Sequence, residues 1–350
     1  MDLWSAIISQ TPAPASPDIL SLLPSLIPIF EDATDSVPQA MQIAESYVLL
    51  APQEVLSDRI RLPLLVACES LLHLTTRRRL GIVPRLVEMV IRGVEVVDGG
   101  SENSYGIVSR TLVDSSFLSS LLEGIHSAHE ASETTGPNRK TSPVYGVVET
   151  DYYSVLARLA FGNAQVFASA MSAATGTSEE AAFDWILKEW FLHYDNIGSA
   201  TQKKLHTLGL TQLLSLHAPN LPPPPYILKH LQSYLTMWTD IVTELAEGDD
   251  TDDPNSGKDY LVYWNDKTHD ATHSGGGGAT GVAPGEPPEI ARQREWGDMD
   301  IVHRINIRQF VKDGLQSVIV RCGGEQRFQE DWLGHVDGEV VSGFGALGIL

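Results

Sequence analysis

The sequence predicts an all-α protein in which amphipathic helices stack in series as an α-solenoid, interrupted near the carboxyl end by an acidic, glycine-rich insertion. Apolar residues recur at spacings of three and four along most of the chain. The clearest run lies between Tyr226 and Leu245, where Ile227, Leu228, Leu231, Tyr234, Leu235, Trp238, Ile241, Val242 and Leu245 share one face. Lys229, His230, Gln232, Thr239, Asp240 and Glu244 take the back. That is about five turns at ~3.6 residues per turn. Helix pairs begin near residues 17, 54, 101, 149 and 178, an uneven spacing that brackets the ~40-residue repeat of HEAT and armadillo arrays. An irregular helical bundle is the competing architecture.

Many of the elements have start or stop signals. Ser16-Pro17-Asp18 opens a helix carrying Leu22, Leu23, Leu26, Ile29 and Phe30, which Pro24 and Pro28 should kink or shorten. Ser36-Val37-Pro38 opens the next, with Met41, Ala44, Tyr47, Val48 and Leu50 on its apolar face. Ile60–Leu74 follows, and Arg77, Arg78 and Arg79 supply cations where a helix dipole ends. Val83–Val97 is valine-rich, but the spacing of Val83, Leu86, Val87, Val90, Ile91 and Val94, with its length, favours helix over strand. Asp98-Gly99-Gly100 ends it. Ser101–Val113 and Ser116–His129 form a pair, followed by a polar loop from Glu130 to Val144 and then by Asp151–Phe161 and Ala164–Ala174. Thr177-Ser178-Glu179-Glu180 launches a helix with Phe183, Ile186, Leu187, Trp190, Phe191 and Tyr194. Ala200–Leu216 completes that pair, and Pro222–Pro225 separate it from the run at Tyr226.

Residues 1–247 therefore read as the helical array. Residues 248–300 read as an insertion expected to be largely disordered, with an acidic run at Asp249, Asp250, Asp252 and Asp253. Within it, Asp259-Tyr260-Leu261-Val262-Tyr263-Trp264 is an apolar island whose Trp264 could pin it to the last helices. Ser274–Pro288 has too little apolar surface to offset the entropy of ordering. Residues 301–350 are expected to be helices packing on the array, through Phe310, Leu315, Val318, Ile319, Phe328–Leu333 and Val340–Leu347.

Composition bounds the function. The 350 residues are 43% hydrophobic and 7% aromatic, enough for a core. Lys plus Arg is 24 against 45 for Asp plus Glu, a formal charge of −21. Such a field disfavours nucleic acid phosphates and anionic lipid and favours basic partners, although solubility alone would also account for it. Cys68 and Cys322 are far apart in apolar helical contexts and read as free thiols. No uninterrupted apolar stretch reaches the roughly 18 residues of a membrane span. Met1-Asp2-Leu3-Trp4 has an acid where a secretory leader would carry a cation, so the sequence suggests a soluble intracellular protein.

Motif chemistry is sparse, and no catalytic, cofactor-binding or metal-ligating residue is assigned. Gly343-Phe344-Gly345-Ala346-Leu347-Gly348 matches GxGxxG in letters but lacks the preceding strand and following helix of a dinucleotide site. Gly275–Gly278 has no following Lys-Ser or Lys-Thr. His126 with His129, and His269 with His273, have metal-compatible spacing but too few ligands, and read as solvated. Neither a Gly-x-Ser-x-Gly elbow nor His-Glu-x-x-His occurs. Arg77–Arg79 is too short to stand as a nuclear signal.

From Leu231 onward the order of features resembles the carboxyl-terminal third of importin-β superfamily karyopherins, specifically the importin-11-like receptors of fungi. The residues that carry the resemblance are His230-Leu231-Gln232, Met237-Trp238-Thr239-Asp240-Ile241-Val242-Thr243-Glu244-Leu245 and Asp259–Trp264. Gly323-Gly324-Glu325-Gln326-Arg327-Phe328-Gln329-Glu330-Asp331-Trp332-Leu333 and Phe344-Gly345-Ala346-Leu347-Gly348 complete it. The resemblance implies a non-enzymatic, cofactor-free HEAT-repeat solenoid that carries proteins between cytoplasm and nucleus through the nuclear pore. Its implied partners are basic cargo proteins, the GTPase Ran and nucleoporins, without nucleic acid or membrane. The amino-terminal repeats that mainly grip Ran in such receptors have no counterpart here, so no Ran-contacting or cargo-contacting residue is carried over. A helical protein-interaction scaffold outside nuclear transport is the alternative.

Overall fold

The computed structural model describes residues 1–31, 35–72, 81–134, 136, 140–142, 144, 146–218, 220–247 and 286–349. Among these residues there are helices and turns but no strand. The first helices are α1 (Asp2–Gln10), α2 (Pro17–Ser21), α3 (Ile27–Glu31), α4 (Val37–Leu50), α5 (Pro52–Val55), α6 (Asp58–Leu72), α7 (Ile82–Asp98) and α8 (Glu102–Asp114). They continue as α9 (Phe117–Glu133), α10 (Val147–Gly162), α11 (Ala164–Thr175), α12 (Glu179–Tyr194), α13 (Ala200–Leu213), α14 (Pro225–Leu228) and α15 (Leu231–Glu247). The last are α16 (Pro288–Met299), α17 (Ile301–Arg304), α18 (Ile307–Arg321), α19 (Glu325–Asp331) and α20 (Gly338–Gly345).

Short polar side chains set the helix starts. The Ser101, Asn163 and Ser178 side chains accept the N–H of Ser104 (3.2 Å), Val166 (2.9 Å) and Ala181 (3.3 Å), each satisfying a backbone donor that has no partner in the first turn. Gly99 ends α7 at φ 69°, a left-handed cap that glycine adopts without steric cost. As expected, Pro24 and Pro28 divide the first apolar segment, leaving the short α2 and α3.

These helices form two rows. One row runs α1, α4, α7, α10, α13 and α15, each touching the next; the other runs α3, α6, α9, α11, α12 and α14. Their apolar faces merge into one continuous core that includes the fully buried Trp190 and Trp238. This is the predicted series of stacked helices. The backbones of α10 and α13 approach closely, so that a Cβ added at Gly209 would lie 2.7 Å from the Ala157 carbonyl oxygen.

The chain departs from the sequence expectation in two places. The run from Tyr226 is broken at Lys229–His230, where the His230 N–H closes a tight turn on the Ile227 carbonyl (3.2 Å) before α15 begins. Residues 288–299, placed by sequence within the insertion, form α16, with Pro288 in its first turn. Arg77–Arg79, Trp264, His269, His273, Gly275–Gly278 and Ser274–Gly285 lie outside the described residues.

The final helices form a strap. α16 lies against α1 and α4, α17 against α13, α18 against α13 and α15, and α20 against α15. After α15 the chain therefore returns to the start of the array and retraces it. The row containing α4, α7, α10 and α13 is thus an inner row, enclosed between the outer row and the strap.

Candidate functional site

The most concentrated polar chemistry lies where the strap meets the inner row. Arg158, from the middle of α10, donates from Nε to Glu88 Oε1 on α7 (2.6 Å). Its two Nη groups donate to the two carboxylate oxygens of Asp300, at 2.9 and 3.0 Å, a bidentate fork. Arg92 Nη1 is 3.3 Å from Asp300 Oδ2, its Nη2 donates to the Trp296 carbonyl, and its guanidinium sits 5.4 Å from the indole centroid. Asp300 also accepts the Val302 N–H (3.0 Å), so the residue that pairs with Arg158 caps α17 as well. The Tyr105 hydroxyl donates to Glu95 (2.9 Å), whose carboxylate is 3.9 Å from Arg158 Nη1.

Burial makes this seam electrostatically demanding. Arg158 is 1% exposed, and Glu88 and Asp300 are 2% exposed. Burial alone would raise the Asp300 carboxyl, but the Arg158 and Arg92 guanidinium groups hold it well below the usual carboxylate range. Glu95 goes the other way: burial raises it, and the more distant Arg158 only partly opposes that. Further anchors flank the seam. Arg292 Nη1 donates to the Thr11 carbonyl (2.6 Å), and Ser46 Oγ donates to Glu289 (2.7 Å). Arg321 spans the carbonyls of Leu214, Leu216 and Leu221 at 2.6–2.7 Å.

A second polar layer joins α10, α12 and α13. The Trp190 indole N–H can only donate, so His206 Nδ1 accepts it (3.2 Å) and the imidazole proton sits on Nε2, donated to Ser154 Oγ (3.1 Å). Ser154 in turn donates to the Thr150 carbonyl (2.9 Å). Both ring nitrogens of neutral His206 are thereby satisfied, while burial and then His193 push its pKa down to about 3. Tyr153 stacks on His193 and Trp190, with centroids 4.9 and 5.5 Å apart.

His126 and His129, read from sequence as solvated at a frayed end, lie within α9, which continues to Glu133; His126 is exposed and His129 half-buried. His126 Nδ1 is 2.9 Å and His129 Nε2 is 3.9 Å from Oε1 of the buried Glu189 on α12. Burial raises the Glu189 carboxyl, against the hydrogen bond from His126 and the field of His129. Among the described residues no group of three or more His, Cys, Asp or Glu could hold a metal ion. Gly343 and Gly345 lie on α20, so the GxGxxG string follows helix rather than strand. Cys68 is a buried free thiol, pushed up to about 12 by burial, and Cys322 is free and half-buried. No helix among the described residues is long and apolar enough to cross a membrane.

Sequence reasoning missed the Arg158–Asp300 clamp. Its one local signal was a charged residue in apolar company: Arg158 between Ala157 and Leu159, and Asp300 between Met299 and Ile301.

Comparison with known proteins adds to this geometry. A family model described as importin-11-like, TPR repeats, matches residues 1–349. The chain is also similar to the importin beta-like protein kap113 of Schizosaccharomyces pombe, at 23% identity over 350 residues, covering 98% of this chain. The chain spans 30% of that relative's length. No solved structure matches.

Proposed function

Since this chain belongs to the importin-11-like family, we propose that it is a non-enzymatic, partner-binding part of a nuclear transport receptor that takes up basic protein cargo. The observation that carries this reading is the family match from residue 1 to 349, across both rows and the strap. In the whole receptor, Ran and nucleoporins would be the further partners, and the protein would move between cytoplasm and nucleus through the pore.

The physics of the surface supports the cargo class. With a formal charge of −21, the molecule attracts Lys- and Arg-rich segments over a Debye length. Exposed acids include Glu123, Glu130 and Glu133 on the outer-row helix α9, and Glu102 and Asp114 on α8, which packs against α6, α9 and α11 of that row. The strap fills the inner row, which favours the outer surface for cargo. Rim charges of this kind speed encounter and make binding sensitive to salt more than they deepen affinity.

Fluorescence anisotropy of a labelled basic nuclear-localisation-type peptide with the full chain tests the reading. Binding should weaken at least tenfold between about 50 and about 300 mM salt, as the Debye length falls from roughly 14 to roughly 6 Å. No binding at the lower salt, or equal affinity at both, would count against it.

A further inference from the structure

Between α12 and α15 lies an open cleft of about 270 Å3, away from the strap's clamp. Its apolar lining includes the buried Met237, the half-buried Phe191 and Leu192, which is 57% exposed. His230 also lines the cleft, and its Nε2 is buried without a hydrogen-bond partner.

The charges around the cleft sort into satisfied and unsatisfied. Lys203 binds Asp240 (3.0 Å) and Glu244 (2.8 Å), and Lys229 pairs with Asp184. Lys188 and Asp195 also line the cleft, both exposed, and neither side chain has an ion pair or hydrogen bond among the described residues. They lie seven positions apart, Lys188 within α12 and Asp195 just beyond its end, so about 10 Å separates them along the axis. The Asp195 end is net negative, since Asp240 and Glu244 share one lysine. The Lys188 end is net positive, since its neighbouring pair is balanced. An apolar wall with an unpaired cation at one end and an unpaired anion at the other selects a charge-patterned ligand by attraction and by repulsion.

We propose that this cleft is a docking groove for a short partner segment that carries one large apolar side chain, with an acidic residue on one side and a basic residue on the other. The apolar side chain packs on Leu192 and Phe191, the acidic residue meets Lys188, and the basic residue meets Asp195 and Asp240. In an extended peptide, where alternate side chains share a face, the acidic, apolar and basic residues sit two positions apart; the outer two span about 13 Å at ~3.3 Å per residue, and their long side chains adjust to the ~10 Å between Lys188 and Asp195. The groove does not depend on the transport reading, because it would hold such a segment from any protein.

The test is anisotropy of fluorescein-labelled Ser-Glu-Ser-Leu-Ser-Arg-Ser on the full chain. It is compared with a doubly acidic version (Arg to Glu), a doubly basic version (Glu to Arg) and an uncharged Phe-Gly peptide. Wild type should bind the mixed-charge peptide about threefold to tenfold more tightly than each of the other three, the range expected of one or two exposed charge pairs. Lys188→Glu should make the doubly basic peptide the preferred one, and Asp195→Lys the doubly acidic one. Leu192→Asp, a change at an exposed position, should weaken all four while leaving the melting curve in place. Equal binding of the four peptides, no binding of the mixed-charge peptide, or an order of preference unchanged in the charge variants would overturn the proposal. Loss of the preference for the mixed-charge peptide, with salt-dependent binding of the basic nuclear-localisation-type peptide retained, would leave the cargo reading standing while this groove falls.

Discussion

Asp300→Asn is the perturbation that most directly tests the clamp between strap and array. The substitution keeps the shape of the side chain but removes its charge, and puts an amide donor against guanidinium groups that already donate. Arg158 would keep Glu88 at 2.6 Å and the more distant Glu95 at 3.9 Å, whereas Arg92 would lose its carboxylate partner at 3.3 Å. Leaving a buried charge without its partner costs about 3–5 kcal/mol. At roughly 2.1 cal/mol/K of unfolding entropy per residue, a chain of 350 residues should then melt about 4–7 °C lower, read by circular dichroism or calorimetry. Because Asp300 is held below its ordinary range, its contribution is complete above the unfolded carboxylate value of about 3.9 and is lost as pH falls below it. The Asn variant should therefore differ most from wild type near neutrality and converge with it in acid. Replacing both residues, as Arg158→Met with Asp300→Leu, should not recover the loss, since it leaves the buried Glu88 without Arg158 and Arg92 without Asp300. A single Asn variant that melts within about 1 °C of wild type would refute the reasoning.

Trp238→Ala should cost about 3–5 kcal/mol, because the ring is fully buried against Tyr234 and Phe344 and its N–H donates to Thr211 at 2.8 Å; an unmoved melting curve would contradict that packing. Gly209→Ala should destabilise by roughly 1–3 kcal/mol, since the new methyl meets the backbone of Ala157 rather than a movable side chain; a neutral or stabilised variant in urea titration would show that α10 and α13 can separate freely. His206 should make the fold sensitive to mild acid: its folded pKa of about 3 lies below the unfolded value, so stability is full above about pH 6.5 and falls toward pH 3. At pH 5.5 the loss from this group should be about 1.4 kcal/mol. A His206→Gln variant should flatten that part of the stability–pH curve, and an unchanged slope would place the effect elsewhere.

The helical rows were legible in the sequence because burial on one side imposes the three-four spacing directly. The valine-rich Val83–Val97 segment shows this, forming α7 despite its strand-like composition. The strap's first helix was not legible. In Pro288–Met299 the buried residues are Arg292 and Trp296, with few other apolar positions, so no apolar stripe announces the helix. Its burial comes from the array it meets. The clamp was illegible for a related reason: Arg158 and Asp300 are 142 residues apart, and local periodicity carries nothing about such a pair. His126 is exposed, as the sequence reading has it, and His129 is half-buried; their shared partner Glu189 was illegible because it faces them from another helix, 63 residues from His126. The break at Lys229–His230 escaped notice because both flanking segments continue the same apolar spacing.

Amide hydrogen exchange on the full chain, with and without the basic peptide, tests most directly whether the strap closes the inner row and leaves partners to the outer surface. Slow exchange in α16–α18 in both states, with peptide-dependent protection confined to outer helices such as α8, α9 and α12, is the expected result. A strap that exchanges freely in the absence of peptide, or peptide protection centred on α7, α10 and α13, would contradict the account.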